Sequence, residues 1–260
     1  MSRLSPDIVQ RVSNYWAGYL GCDVAELERQ QAQVLLSAPV SEFVAFSRGS
    51  NWILALPAQW NSKVGAALSP FFQRGRLPNL TGLQQVLRSI DGINLYGPAT
   101  IFLQPELQPQ SAVPIDVRRL QPADHSRLAL FRREGGQRAW SLTATDDWLA
   151  VWGAFFEKRL VAICAVRVWG DLLAEIYVDT LPAHRQRGYG KAVTNAAVQW
   201  IYTNTAYIVE SVVELSNQNS LALMASLQFK PYGYLLLGER VNTTVTHKNC
   251  ASLALVGAQK

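Results

Sequence analysis

The chain has 260 residues, of which 49% are hydrophobic and 17% charged, and its formal net charge is +5 at neutral pH. This length suits two domains, and this composition lets each bury a core, which excludes a long disordered chain. The positive charge comes without basic runs or interleaved basic and aromatic residues. It therefore favours a small polyanionic ligand and argues against a nucleic-acid partner.

Apolar runs and cysteines indicate the compartment. The longest apolar runs, such as 52–58 and 160–166, are too short to span a bilayer, and the N-terminus lacks the apolar core of a secretion signal. The three cysteines are far apart and odd in number, which suits a reducing compartment. The histidines have no ligand spacing, so no metal site is predicted. We expect a cytoplasmic protein without membrane contact.

Residues 1–107 are predicted to form a smaller α/β N-terminal domain of unknown role. Hydrophobic periodicity predicts helices over 6–19, 23–35, 59–72 and 83–90. Runs of β-branched and aromatic residues predict strands over 43–46, 51–56 and 92–102. Residues 104–115 hold three prolines and little periodicity, which indicates a linker.

Residues 116–260 are predicted to form a second domain. Strands are expected over 117–120, 148–156, 160–169, 172–180 and 208–215, with a closing pair at 232–237 and 242–247. Helices are expected over 122–133, 191–202 and 220–227. Antiparallel strands, a strand–turn–helix unit and a parallel return strand together give a mixed, mostly antiparallel sheet flanked by helices, an α/β fold.

The most informative segment is Arg185–Gly190, here called the glycine turn, between a strand ending at Thr180 and a predicted helix. A strand that turns through glycine into a helix leaves unpaired backbone N–H groups at the positive end of the helix dipole, where phosphate binds. Arg185, Arg187 and Lys191 add positive charge at its rim. An ordinary strand-to-helix turn is the alternative interpretation.

Two motifs resemble the GNAT superfamily of N-acetyltransferases. The stretch from Ala174 to Gly190, AEIYVDTLPAHRQRGYG, looks like the acyl-CoA signature of that family. Downstream, Asn217-x-x-Ser220 followed by Leu-Gln-Phe at 227–229 resembles its Asn-x-x-Ala/Ser helix with a Leu-Gly-Phe ending. Because the motifs occur in the family's order, residues 116–247 are identified as a GNAT-like domain; the resemblance does not extend to the N-terminal part.

The resemblance implies acetyl-CoA as the acyl donor. Backbone groups of Val178 and Thr180 would hydrogen-bond the pantetheine arm as an added strand does, where the next parallel strand splays away and leaves edge groups unpaired. The amides of the glycine turn and of Lys191 would hold the pyrophosphate. The cofactor-binding set implied beside Val178 and Thr180 is Asp179, Arg185, Gln186, Arg187, Gly188, Tyr189, Gly190, Lys191, Asn217 and Ser220.

One departure from the family concerns the acid that protonates the departing thiolate. Many members carry a tyrosine in the helix after the asparagine, and the aligned residue here is Met224, which has no proton to donate. Tyr177, Tyr189 and Ser220 are the hydroxyls nearby, and water is another source. Gln228 stands where glycine is usual, which we interpret as a change in a helix cap.

Amide formation also needs a base, because only the free amine attacks a thioester. We predict Glu175 as this base. It begins the cofactor strand, and alternation puts its side chain on the face opposite Ile176 and Val178. The alternative is a solvent-facing charge that pairs with an arginine.

Two groups of residues are candidates for lining the pocket that binds the acceptor amine. Glu210 and Glu214 share one face of their strand, either to bind a cationic amine or, as we favour, to lie on a solvated sheet face. Four tryptophans lie in the hairpin region, most of them predicted in the core or at a domain interface and one able to line an apolar acceptor pocket: Trp140, Trp148, Trp152 and Trp169.

The leading hypothesis is an acyl-CoA-dependent N-acyltransferase. It would transfer acetyl from acetyl-CoA to a primary amine, on a small molecule or a protein, by direct attack in a ternary complex. The alternative is a non-catalytic acyl-CoA-binding or sensing protein, which Met224 slightly favours. A transferase that takes its donor from aminoacyl-tRNA is disfavoured by the near-neutral N-terminal part.

Overall fold

A computed structural model describes residues 4–29, 32–36, 38–49, 51–73, 79–90, 92–105, 115–135 and 148–240. The contacts divide the chain into two compact units. The turn unit, which contains the glycine turn, is formed by Phe102–Ser211 and Gln218–Lys230 together with the first four residues. The N-terminal unit is formed by Ser5–Ile101, Val212–Asn217 and the chain from Pro231 onward.

Ten strands and seven α-helices occur in the described part of the chain. The strands are β1 (Gln33–Leu36), β2 (Phe43–Arg48), β3 (Asn51–Leu56), β4 (Ile93–Leu103), β5 (Asp116–Arg119), β6 (Ala150–Phe156), β7 (Arg159–Trp169), β8 (Leu173–Thr180), β9 (Ile208–Glu214) and β10 (Lys230–Arg240). The helices are α1 (Pro6–Leu20), α2 (Val24–Leu27), α3 (Asn61–Gln73), α4 (Leu80–Arg88), α5 (His125–Gly135), α6 (Tyr189–Asn204) and α7 (Gln218–Ser226).

The turn unit is built on the strand order β9-β8-β7-β6-β5. The pairs from β5 to β8 are antiparallel, and β9 runs parallel to β8. Helix α6 packs on one face, where an added Cβ at Gly190 would lie 3.8 Å from Val178 Cγ1. Helix α5 packs on the other face, since Phe131 joins Ile163 in a buried cluster and Ile163 lies beside Asp179 in the ladder. The helices therefore flank both faces.

The N-terminal unit has the strand order β1-β3-β2-β10-β4. Phe43 and Ala45 of β2 point into a core with α3 and α4, which also contains Leu236 of β10. Phe46, on the opposite face of β2, stacks on Trp16 of α1 with ring centroids 5.1 Å apart. Helices thus cover this sheet on both faces as well, and its β10 strand comes from the end of the described chain.

The predicted fold class is confirmed: a mixed, mostly antiparallel sheet is flanked by helices, and an α/β region precedes it along the chain. The predicted helix over 23–35 is wrong. Only Val24–Leu27 is helical, whereas Gln33–Leu36 pairs in parallel with β3, because neighbouring-strand contacts override the local periodicity.

Three predictions fall wholly or largely outside the described residues. These are the strand over 242–247, most of the linker over 104–115 and the place of Trp140. The division into domains 1–107 and 116–260 stays a prediction. No helix of the described segments has the length and apolar character needed to cross a membrane.

Candidate active site

Strand β8 has a partner along only part of one edge. Its ladder with β7 runs the full length from Leu173 to Thr180. Its ladder with β9 pairs only three residues, ending at Glu175 opposite Glu210. Residues 176–180 therefore continue along β7 without a β9 residue opposite them in that ladder. This is the splay that the resemblance implied.

Backbone alternation identifies which groups face the splayed edge. Leu181 N–H donates to Val161 O at 2.9 Å, which makes the odd-numbered residues of β8 the ones that hydrogen-bond β7. Even-numbered residues then point their N–H and C=O toward β9, as Leu172 O does when it accepts from Ile208 N at 2.9 Å. The backbone groups of Val178 consequently face the edge where the ladder has ended.

Thr180 shares this orientation, but its backbone is already engaged by its own chain. Its N–H donates to Asp179 Oδ1 at 2.8 Å, and its carbonyl accepts from Arg185 Nε at 3.0 Å. Arg185 also lies 3.8 Å from the buried Asp179 carboxylate. These contacts tie the end of β8 to the start of the glycine turn, and they leave Val178 as the stronger candidate for a backbone contact with a ligand.

The glycine turn leads into α6 without any capping side chain. Gly188 is the N-cap, in the left-handed region at φ 87°, where a side chain would be strained. No acidic residue lies in the first turn of the helix. The N–H groups there thus lack a side-chain acceptor, and the side chains around them are exposed and mostly basic: Arg185, Gln186, Arg187 and Lys191. Such a helix start favours an anion.

Gly190 and Tyr189 contribute through packing. A Cβ at Gly190 would approach Thr180 Oγ1 to 3.2 Å, so glycine allows α6 to lie close to β8. The Tyr189 ring is buried and packs edge-on against His184, whose centroid is 6.0 Å away. Only its backbone amide remains for the predicted ligand contact. His184, which was not a predicted site residue, packs against the turn through this ring contact.

Glu175 is buried, with 6% of its surface exposed. Its Oε2 accepts from Trp169 Nε1 at 2.5 Å and from the Tyr177 hydroxyl. Burial raises the pKa of the Glu175 carboxyl above its ordinary value, while the two hydrogen bonds and the charge of Arg167 oppose that rise. Burial excludes the alternative of a solvent-facing charge, whereas the role of base stays a prediction. A buried carboxyl with a raised pKa can serve as a base near neutral pH.

Charged residues on both neighbouring strands flank Glu175. In the ladders it lies opposite Arg167 of β7 and Glu210 of β9, so the three side chains share one face of the sheet. All three are buried, Glu210 with 3% of its surface exposed. The solvated sheet face that we favoured for Glu210 is wrong, because this face is covered.

The second motif lies at the start of α7. Asn217 directly precedes the helix and donates its N–H to Glu214 O at 2.9 Å, and Ser220 lies in the first turn; both side chains are half-buried. Their predicted role at the ligand stays a prediction. Met224 has 2% of its surface exposed, so it is a core residue of α7.

The environment of Glu175 was not predicted from the sequence. Trp169 and Tyr177 are among the predicted residues but without a contact to Glu175, and Arg167 is not among them. The signal was available: a hairpin turning at Gly170 and Asp171 sets Trp169 opposite Leu173 and hence Arg167 opposite Glu175. Tyr177 follows two residues after Glu175, on the same face.

Comparisons with solved structures returned acetyltransferases. An acetyltransferase of the GNAT family from Novosphingobium aromaticivorans is 18% identical, covers 58% of this chain and 69% of its own, and has a TM-score of 0.46. A GNAT-family acetyltransferase from Colwellia psychrerythraea is 13% identical, covers 73% of this chain and 76% of its own, and has a TM-score of 0.48. The aminoglycoside N-acetyltransferase AAC(6')-Iy, solved with CoA, is 16% identical, covers 52% of this chain and 100% of its own, and has a TM-score of 0.36.

A comparison with curated protein sequences gave no significant match. The family model described as the acetyltransferase (GNAT) family matches residues 116–229, which include the β8 edge, the glycine turn and the second motif. This match confirms the predicted family and enzyme class. Residues 116–229 belong to the GNAT family of acetyltransferases.

Proposed function

We propose that this protein transfers an acetyl group from acetyl-CoA to a primary amine by direct attack in a ternary complex. The observation that carries the proposal is the splayed β8 edge, which leads through the glycine turn into the uncapped start of α6. An extended amide chain with a diphosphate at one end matches this arrangement of an open strand edge and an anion site.

In this proposal Val178 binds the donor through its backbone. Its N–H and C=O face the edge from which β9 has departed, so they offer the pairing that a strand would otherwise supply. The amides at the start of α6 bind the diphosphate, and Arg185, Arg187 and Lys191 add charge-assisted contacts. Acetyl-CoA supplies the thioester that the amine attacks.

Glu175 acts as the base. The acceptor reaches the enzyme mainly as an ammonium ion, whose nitrogen has no free electron pair. The carboxylate takes one proton from that nitrogen, directly or through one water, and the freed pair attacks the acyl carbon. The bond between the acyl carbon and sulfur then breaks, and because Met224 in α7 has no proton to donate, the second proton lost by the nitrogen reaches the thiolate through water in this proposal.

Calorimetry with CoA tests the donor site. Gly188→Glu places a carboxylate and a strained left-handed residue where the diphosphate should bind, and we expect at least a hundredfold loss of CoA affinity. Gly49→Glu is the matched control, because Gly49 is also exposed with a positive φ of 79° but lies in the N-terminal unit. Equal CoA affinity in both folded variants would refute the site.

Turnover is tested by following free thiol from acetyl-CoA in the presence of a panel of amines and amino-terminal peptides. We expect amine-dependent thiol release by the wild-type protein. Tight CoA binding without release on any amine would instead support the sensing protein. The cytoplasmic location stays a prediction from the sequence.

A further inference from the structure

Two donors from different strands meet on a single oxygen of Glu175. The Trp169 indole, at the end of β7, donates to Oε2 at 2.5 Å, and the Tyr177 hydroxyl of β8 donates to the same atom. Trp169 and Glu175 are buried and Tyr177 is half-buried. Among the described residues these hydrogen bonds use Oε2 and not Oε1. The two donors thus hold the carboxyl group by Oε2.

Aromatic contacts fix the two donors. Tyr177 packs edge-on against Trp148 with ring centroids 5.1 Å apart, and the Arg167 guanidinium lies over Trp169 at 5.0 Å. A tyrosine or tryptophan packed in this way loses little further freedom when it donates a hydrogen bond. The geometry around Glu175 is therefore set before any substrate binds.

The charges around Glu175 come from both neighbouring strands. Arg167 of β7 and Glu210 of β9 face it in the ladders, and Asp179 follows on the same face of β8. Helix α5 packs on this face near Asp179, where its apolar Leu128 and Phe131 join the buried cluster around Ile163. The two neutral donors, together with the charge of Arg167, stabilise the carboxylate form of Glu175 against its burial.

We propose that Trp169 and Tyr177 are positioning residues that hold Glu175 by Oε2, so that Oε1 takes the proton of the acceptor amine. This inference rests on the proposed function. The N–H bond of the ammonium breaks, its electron pair stays on nitrogen, and the proton goes to Oε1. Each donor stabilises the carboxylate form and fixes its orientation, which increases the fraction of enzyme with a competent base.

The pH dependence of kcat/KM tests the positioning role. In Tyr177→Phe and in Trp169→Phe the Glu175 carboxylate loses one hydrogen-bond donor, which raises its pKa. The acid limb of the pH profile of kcat/KM therefore moves to higher pH. At pH 7 we expect about a tenfold loss, part of the hundredfold or more that a general base supplies, with recovery at alkaline pH. CoA affinity should stay unchanged. In Glu175→Gln the limb set by the carboxyl group should be absent, and activity should rise at alkaline pH only through the increase in free amine.

Tyr202→Phe is the matched control. The Tyr202 hydroxyl donates to the Gln104 carbonyl, so the variant loses an equivalent hydrogen bond away from Glu175. Its acid limb should match that of the wild type. An unmoved acid limb in both Tyr177→Phe and Trp169→Phe would overturn the proposal. A Tyr177→Phe variant that is inactive at every pH would also overturn the proposal, since that result would make Tyr177 itself the proton donor to the departing thiolate.

The indole N–H signal of Trp169 gives a readout that needs no turnover. In protein labelled with ¹⁵N-tryptophan, the signal missing from Trp169→Phe should titrate with pH in the wild type, because it reports the charge of its acceptor. Its midpoint should rise in Tyr177→Phe and the titration should vanish in Glu175→Gln. A titrating signal without amine turnover would reject the proposed function but retain the positioning role; a signal insensitive to Glu175→Gln would reject the positioning role.

Discussion

At the scale of single residues, the proposed function gives the backbone of Val178 and the carboxyl of Glu175 separate roles on the same strand. Val178 lies three residues after Glu175, so its backbone points toward the β9 side while the Glu175 side chain lies on the face opposite α6. In the proposed function, the backbone contact with the donor and the base therefore lie next to each other on one strand. This placement brings the two reactants together without a mobile element.

Val178→Pro tests the backbone contact. Proline removes an N–H that faces the open edge, and it leaves the hydrogen bonds to β7 intact because those come from odd-numbered residues. We expect a five- to tenfold loss of acetyl-CoA affinity, the effect of about 1 kcal/mol for one hydrogen bond. Val178→Ala keeps the N–H and should bind nearly as the wild type. Equal affinity in the proline variant, checked by calorimetry, would exclude the contact.

At the scale of elements, the turn unit depends on a buried carboxylate at the start of α5. Asp124 accepts two hydrogen bonds of 2.6 Å from Arg118 of β5, one of 2.9 Å from Arg127 and one of 3.0 Å from Gln121 N–H. The hydrogen bonds from Arg118 and Gln121 hold the pKa of Asp124 well below its usual range. This carboxylate connects β5 at the edge of the sheet with α5.

Asp124→Asn should lower the free energy of unfolding by about 1–3 kcal/mol at pH 7, since it keeps the shape but removes the charge-assisted bonds. Because the folded pKa is depressed, the stabilisation by Asp124 is complete above its unfolded pKa and is lost as the pH falls through the lower folded pKa. Wild type and variant should therefore converge in strong acid. Urea unfolding at several pH values measures this, with the exposed Asp116→Asn as control; equal stability at pH 7 would contradict it.

At the scale of the whole molecule, strands that belong to the same unit are not always neighbours along the chain. Strand β10 follows the second motif, yet its residues Tyr234–Gly238 pair with β2 and Leu236 enters the core of the N-terminal unit. Opposite Phe43 only glycine fits at Gly238, where an added Cβ would lie 1.6 Å from the ring. The end of the described chain is thus part of the N-terminal unit.

We predict that residues 1–107 expressed alone lack a cooperative unfolding transition. Without β10, strand β2 would keep only β3 as a neighbour, and the core would lose Leu236. The same fragment followed by a flexible linker and residues 230–240 should regain one. Thermal unfolding monitored by circular dichroism measures the difference. A cooperative transition in the short fragment would show that β10 is dispensable.

Local order was readable in the sequence. The strand that ends at Thr180, the glycine turn and the following helix depend on residues that are neighbours along the chain, so composition and spacing located them within one or two residues. The family followed from the same segment. The helix predicted over 23–35 is wrong beyond α2, because residues further along form β1. That strand depends on pairing with β3, which is not a neighbour along the chain.

The sequence by itself determined the order of strand, glycine turn and helix, because a helix start with free N–H groups is a local property of the backbone. The family and the donor class followed from the resemblance of the two motifs. Tertiary structure alone decided that β9 leaves β8 after Glu175, that Trp169 and Tyr177 meet on one oxygen, and that β10 joins β2. Each of these depends on register between residues distant along the chain, which no local pattern specifies.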